Sequence, residues 1–141
     1  NVLSSINFND YIKNLIKQLV DTYQLDFAVK YQIEVDVDKM DLDTMIPVGL
    51  LINEVISNSL KYAFSSNETA NLITFKMKKN TDESYTMVIG DNGVGNKIGL
   101  NDEHATFGLE LIKTLAEQLH GTIKQLPVKG TMYEIDFSPV S

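Results

Sequence analysis

Residues 53–63 read NEVISNSLKYA and carry the most informative pattern in the chain. Glu54, Asn58, Lys61 and Tyr62 recur at helical spacing, so one stripe of a helix carries a carboxylate, an amide, an ammonium group and a phenol. The rest of that helix is apolar. Because a polar stripe in an apolar helix is costly unless it meets a ligand or partner, the stripe predicts a binding face.

About thirty residues later, residues 91–95 read DNGVG and follow an alternating apolar segment. Asp91 is therefore expected at the end of a strand, with Gly93 and Gly95 directly after it. Glycines permit positive φ and let the backbone approach a ligand closely. Together with the stripe, this segment predicts a nucleotide pocket.

Composition limits the classes of protein that fit. A length of 141 residues and 43% apolar content suit one globular domain, 1–141. A net charge of −7 argues against nucleic acid as a partner, and the absence of cysteine excludes disulfides and thiolate metal sites. No apolar run approaches a membrane span, so no membrane contact is expected. Because the sequence starts without methionine, we interpret it as a fragment of a longer protein.

Hydrophobic periodicity predicts the element order α–β–α–β–β–loop–α–β–β. Asn7 or Asn9 is expected to cap the first helix, Pro47 to lie near the start of the second and Gly121 to end the third. This order predicts an α+β fold, a two-layer sandwich whose mixed, mostly antiparallel sheet is covered by helices on one face. The predicted segments are helices at 8–23, 41–64 and 107–120, strands at 27–37, 72–79, 84–91, 122–126 and 131–137, and a long loop, termed the lid, at 92–107.

Four segments in this order resemble the ATP-binding catalytic domain of sensor histidine kinases, in the superfamily of gyrases, chaperones, histidine kinases and MutL. Residues 53–64 resemble the N box, 91–95 the first glycine box and 107–112 the second, while Gly130 and Thr131 match the closing motif. The similarity covers residues 8–138 and implies a Bergerat-type fold.

Residues 42–54 resemble the branch of that family whose N box carries a glutamate. The chain departs from the family at Thr106, where a further glycine is usual, and in its short lid. The resemblance also implies that the helix within residues 1–25 continues from an upstream dimerisation domain carrying the phosphoacceptor histidine.

The resemblance implies ATP and Mg²⁺ as cofactors and assigns roles to individual residues. Asn58 would bind the metal through its amide oxygen, and Asp91 would accept a hydrogen bond from the adenine amino group, with Thr131 supporting that edge. Lys61 would contact phosphate, and Tyr62 would contact the adenine or a phosphate. The full nucleotide-binding set is Asn58, Lys61, Tyr62, Asp91, Gly93, Gly95, Gly108, Leu109 and Thr131.

Glu54 is the candidate catalytic residue. It would act as a general base, accepting a proton from the attacking histidine or, in an ATPase, from water. The alternative is a carboxylate that only holds a magnesium-bound water. Plainer readings also exist for Asn58, a local hydrogen bond, and for Asp91, a residue of an ordinary Asp-Asn-Gly turn.

Four other residues have smaller expected roles. Ile98 and Phe107 would line the pocket or hinge the lid, unless they only pack in the core. His104 and His120 are read as structural or exposed.

The function implied by the resemblance is transfer of the ATP γ-phosphate to a histidine on a separate dimerisation domain of the same two-component sensor kinase. The partners would be that dimerisation domain and a downstream response regulator. The resemblance also implies a cytoplasmic location for this domain and a homodimeric parent protein, with or without a membrane anchor in that parent. Two alternatives remain: an anti-sigma-type serine kinase or ATP-hydrolysing enzyme using Glu54, and an interaction module that has lost ATP, which Thr106 favours.

Overall fold

The computed structural model describes residues 6–37, 39–64, 70–94 and 107–138. Three helices and a five-stranded sheet form two layers, with a separate pair of two-residue strands. The helices are α1 (Phe8–Tyr23), α2 (Leu42–Asn58) and α3 (Phe107–Gln118), and a π-helix (Ser59–Ala63) continues α2. The strands are β1 (Ile6–Asn7), β2 (Lys30–Asp36), β3 (Lys39–Met40), β4 (Leu72–Lys79), β5 (Tyr85–Asp91), β6 (Thr122–Gln125) and β7 (Thr131–Phe137).

The sheet has the order β2-β4-β5-β7-β6 and is mostly antiparallel, as predicted. The exception is β2, which runs parallel to β4 because α2 carries the chain from one to the other. In the β5–β7 pair Asp91 lies opposite Thr131. The end of β5 therefore meets the start of β7 at one edge of the molecule.

The core lies between the sheet and the helices. Alternate residues of the strands point inward, including Phe75, Met87 and Ile135, and the helices cover them with residues such as Ile52 and Ile112. Helix α2 contacts both α1 and α3. The α1 contact is close because Gly49 leaves room for the Tyr11 hydroxyl, into which a β-carbon would collide.

The opposite face of the sheet is polar and partly solvent-exposed. Lys76 pairs with Glu34 at 3.3 Å and Lys124 with Glu134 at 3.0 Å. The carboxylate of Glu134 raises the pKa of Lys124. Exposed pairs of this kind contribute little to stability.

Helix ends agree with the sequence in part. Asn7 caps α1, its Oδ1 accepting from the Asp10 N–H at 3.1 Å. Pro47 lies within α2, just after its first turn. One expectation is wrong in detail, because the left-handed residue after α3 is His120 (φ 57°) and not Gly121. Gly121 is needed for space, since a β-carbon would lie 2.6 Å from the Asp136 carbonyl oxygen. His120 is exposed, as expected.

Two features were not predicted. The strands β1 and β3 are too short to show an alternating pattern, and the last turn of the predicted second helix is a π-helix. Among the described residues, no helix is long and apolar enough to cross a membrane.

Candidate nucleotide site

Asp91 ends β5 with its side chain almost fully buried, at 2% exposure. Its Oδ2 accepts from the Ser59 hydroxyl at 2.5 Å, and its Oδ1 accepts from the Gly93 N–H at 2.8 Å and the Thr131 N–H at 3.4 Å. All three donors are neutral, and none of the ion pairs found in the described ranges includes Asp91. An ionised carboxylate has about four acceptor positions, so these three hydrogen bonds leave one unused.

The glycines around Asp91 bring the backbone close to the protein itself. A β-carbon on Gly93 would collide with the Ala63 carbonyl oxygen, and the Val94 N–H donates to the same oxygen at 3.0 Å. Neither Gly93 nor Gly108 uses the positive φ that glycine permits. Gly130, before Thr131, has a positive φ (92°), and a β-carbon there would collide with the Asp91 carbonyl oxygen.

The start of α3 lies against the polar stripe of α2. A β-carbon on Gly108 would lie 2.5 Å from Glu54 Oε1 and 3.5 Å from Asn58 Nδ2. Both side chains are half-buried. The structure thus brings together the carboxylate, the amide and the first turn of α3. The N-terminus of a helix favours an anion.

Lys61 and Tyr62 both belong to the π-helix and are exposed, Tyr62 at 74%. Lys61 borders a groove of about 510 Å³ between α1 and α2, which Tyr23, Leu19 and Glu54 also line. Glu54 therefore lies between this groove and the start of α3. The wider π-turn changes the helical spacing on which the predicted stripe was based.

The remaining predicted residues lie in different settings. Leu109 is in the core with 3% exposure, and Thr131 is half-buried at the start of β7. Phe107 is 84% exposed. Gly95, Ile98, His104 and Thr106, with most of the predicted lid, lie outside the described residues.

The side chains at the start of α3 fit a Mg²⁺ ion that is shared with substrate phosphates rather than a metal ion held entirely by protein ligands. Within the described ranges, no three His, Cys, Asp or Glu residues form a metal cluster. Mg²⁺ is usually held by one or two protein oxygens together with substrate phosphates. An amide and a carboxylate next to a helix N-terminus fit that pattern.

Sequence reasoning missed Ser59, the donor to Asp91 Oδ2. Its signal was weak: a serine directly after Asn58, at a position that helical periodicity places on the buried side of α2. Only the register of β5 against the helix layer shows that the hydroxyl faces a carboxylate.

No protein-family model matches the sequence, and no curated protein matches it. Solved structures do. A blue-light activated histidine kinase of Erythrobacter litoralis, EL346, superposes with a TM-score of 0.80 at 20% identity over 95% of this chain. Histidine kinase AdeS of Acinetobacter baumannii gives a TM-score of 0.75 at 15% identity over 97% of this chain and 67% of its own.

The ATP-binding domain of PrrB from Mycobacterium tuberculosis matches over 97% of both chains, with a TM-score of 0.71 and 17% identity. This chain has the fold of a histidine kinase ATP-binding domain. It spans 46% of the EL346 chain and 64% of the kinase-domain structure of the same protein. The α+β sandwich predicted from sequence is confirmed at the level of the fold.

Proposed function

We propose that this domain binds ATP with Mg²⁺ and transfers the γ-phosphate to a histidine on a separate dimerisation domain of the same protein. The observation that carries the proposal is the buried Asp91, held by three neutral donors with one acceptor position left. The fold supports it, because histidine kinase ATP-binding domains share it.

Adenine is the base that the site favours. Its 6-amino group donates, so it suits the remaining acceptor position of Asp91, whereas guanine has an acceptor there and would leave the carboxylate facing an oxygen. Thr131 lies beside Asp91 through its backbone N–H. Selectivity for adenine over guanine follows from this one contact.

The phosphates would lie toward the start of α3. We assign Asn58 to Mg²⁺ and Lys61 to a phosphate oxygen, with Gly108 leaving space next to Glu54. Tyr62, Gly93, Gly95 and Leu109 complete the proposed binding set. When bound, Mg²⁺ would neutralise phosphate charge, while the residues of this chain position the γ-phosphate.

Glu54 is proposed to accept the proton of the attacking imidazole. The imidazole nitrogen forms a bond to the γ-phosphorus, the bond from that phosphorus to the bridging oxygen of ADP breaks, and the proton passes to Glu54. The position of Glu54 beside both Gly108 and the α1–α2 groove favours this role. The same position also favours a second candidate function, hydrolysis with water as the acceptor.

Glu54→Gln separates a base from a carboxylate that holds water or metal. If Glu54 is a base, the variant should bind ATP with unchanged affinity while transfer or hydrolysis falls by about 10²–10⁴-fold. The measurement is nucleotide affinity by calorimetry beside single-turnover phosphate release. A parallel loss of affinity and rate would assign Glu54 to binding instead.

The proposed setting follows from the chemistry. Because ATP is the proposed phosphate donor, the domain is proposed to lie in the cytoplasm, whether or not the parent protein has a membrane anchor. The parent protein is proposed to be a homodimer that passes its phosphate to a response regulator. Neither nucleic acid nor membrane lipid is a proposed partner of a domain with a charge of −7.

Calorimetric titration with ATP and Mg²⁺ tests the proposal. The wild-type domain should bind, and Asp91→Asn should lose about 10²-fold or more in affinity, because an amide N–H would face the adenine amino group. Asp36→Asn, on the exposed strand β2, is the matched control and should bind as wild type. No binding by the folded wild-type domain at millimolar ATP would contradict the proposal.

Transfer needs its own measurement. With the proposed dimerisation domain present, labelled ATP should give a phosphorylated product that is labile in acid and stable in base, as a phosphohistidine is. The domain alone should give little product. Acid-stable phosphate on serine would favour the serine-kinase alternative.

A further inference from the structure

Ser59 places a buried hydroxyl between the central helix and the strand that ends in Asp91. It is 3% exposed, and its Oγ lies 2.5 Å from Asp91 Oδ2 and 3.2 Å from the Val55 carbonyl oxygen. A hydroxyl has one proton, so it donates to one acceptor at a time. The shorter distance and the charge of the carboxylate favour Asp91.

The π-helix begins at Ser59, whose N–H donates to the Val55 and Ile56 carbonyls. The Ser59 hydroxyl at this end faces Asp91. At the other end of the π-helix, the Ala63 carbonyl accepts from the Val94 N–H. The widened turn is therefore joined to the Asp91 turn at both of its ends.

Ser59 is the only donor to Asp91 Oδ2 in the described part of the chain, whereas Oδ1 has two backbone donors. With both oxygens held, the carboxylate plane cannot rotate about its χ2 torsion. Without the hydroxyl only Oδ1 is held, so Oδ2 loses its partner and the plane is free to turn. A buried acceptor that loses its partner costs free energy and seeks another donor.

We infer that Ser59 is a positioning residue for base recognition: it orients the Asp91 carboxylate so that its remaining acceptor position meets the amino group of the purine. This inference rests on the proposed binding of ATP. Ser59 directly follows Asn58, the residue proposed to bind the metal. Its hydrogen bond to Asp91 therefore links the backbone next to the proposed metal ligand with the residue proposed to bind the base.

The test compares ATP with purine riboside 5′-triphosphate, which lacks only the 6-amino group. Wild type should prefer ATP. Ser59→Ala should lose about tenfold in ATP affinity, the size of one hydrogen bond to a charged group, with affinity for the analogue changed by less than about twofold. Ser59→Thr, which keeps the hydroxyl, should restore the preference.

Thr44→Val is the matched control, because Thr44 also has a buried hydroxyl on α2, and no hydrogen-bond partner for it lies in the described ranges. It should leave the ratio of the two affinities unchanged. If Ser59→Ala does not fold, Ser59→Cys, a weaker donor of similar volume, should show the same fall in the ratio.

The remaining outcomes distinguish failure of the positioning role of Ser59 from failure of the proposed ATP binding. An unchanged ratio in a folded Ser59 variant, or an equal loss for both nucleotides, would overturn the positioning role while leaving ATP binding intact. Absence of ATP binding by the wild-type domain would instead remove the proposed function, and the inference with it.

Discussion

Asp91, the residue proposed to recognise the base, is held in place largely by backbone geometry. Burial of a carboxylate without a cation is costly, and here three neutral donors offset that cost. Two of those donors are backbone N–H groups, so they depend on the turn at Gly93 and on the pairing with β7. The acceptor is therefore held by the fold rather than by a flexible partner.

Gly93→Ala tests the turn. The new β-carbon would meet the Ala63 carbonyl, so the π-helix and the turn must separate. We expect a loss of about 1–3 kcal/mol in the free energy of unfolding, measured in urea, with weaker ATP binding. Val94→Ala, at a 73% exposed side chain, is the control and should stay within about 0.5 kcal/mol. An unchanged Gly93→Ala protein would show that this contact is loose.

Lys61 allows the phosphate assignment to be tested separately from the base. As an exposed point charge it should contribute to ATP and ADP affinity but not to adenosine affinity. We expect Lys61→Ala to lose several-fold in ATP affinity, more at low than at high salt. Lys113→Ala, farther along α3, is the control. Equal losses for adenosine and ATP would place Lys61 outside the phosphate site.

At the scale of elements, caps and turns decide where each segment begins and ends. Asn7 and Asn9 are both suitable caps by sequence, and only Asn7 is used. The Asn9 Oδ1 is buried and accepts no hydrogen bond from the part of the chain that the structure describes. Local chemistry left the choice open, and the path of the chain through β1 into α1 settles it.

Asn7→Ala should therefore destabilise the domain by about 1 kcal/mol through loss of the cap. Asn9→Ala should change stability much less, or raise it, because it removes an acceptor for which the described residues supply no donor. Chemical denaturation of the two variants measures the difference. The reverse order would identify Asn9 as the cap in solution.

Helices and strands with a clear hydrophobic periodicity were predictable from the sequence, whereas segments without such a periodicity were missed. Helix α1 and the β4–β5 hairpin follow from apolar spacing alone. Apolar spacing does not reveal the π-helix, because the same residues also fit an α-helical pattern. Asp91 was identified from its motif, but its contact with Ser59 depends on tertiary packing between a strand end and a helix end, which spacing along the chain does not contain.

At the scale of the whole molecule, the site lies where four segments meet. Because β5 and β7 are antiparallel, the end of one meets the start of the other, and the end of α2 and the start of α3 lie beside them. Residues 94 and 107, which flank the undescribed part of the lid, both belong to segments that contact α2 or its π-helix. Nucleotide binding at this junction would tie both layers together.

Thermal stability should therefore depend on ATP and Mg²⁺ together. A ligand at one hundred times its Kd stabilises by about 2.7 kcal/mol, which corresponds to a rise in Tm of roughly 5–10 °C for a domain of this size. Chelating Mg²⁺ should reduce the rise, and Asp91→Asn should abolish it. A full rise in Asp91→Asn, followed by calorimetry or fluorescence, would place the nucleotide elsewhere.

The most direct measurement is a crystal structure of the domain with Mg²⁺ and a non-hydrolysable ATP analogue. The account predicts the adenine amino nitrogen about 2.7–3.2 Å from an Asp91 carboxylate oxygen, and Mg²⁺ about 2.1 Å from the Asn58 amide oxygen. A nucleotide bound at any other surface, or a base that makes no contact with Asp91, would contradict it.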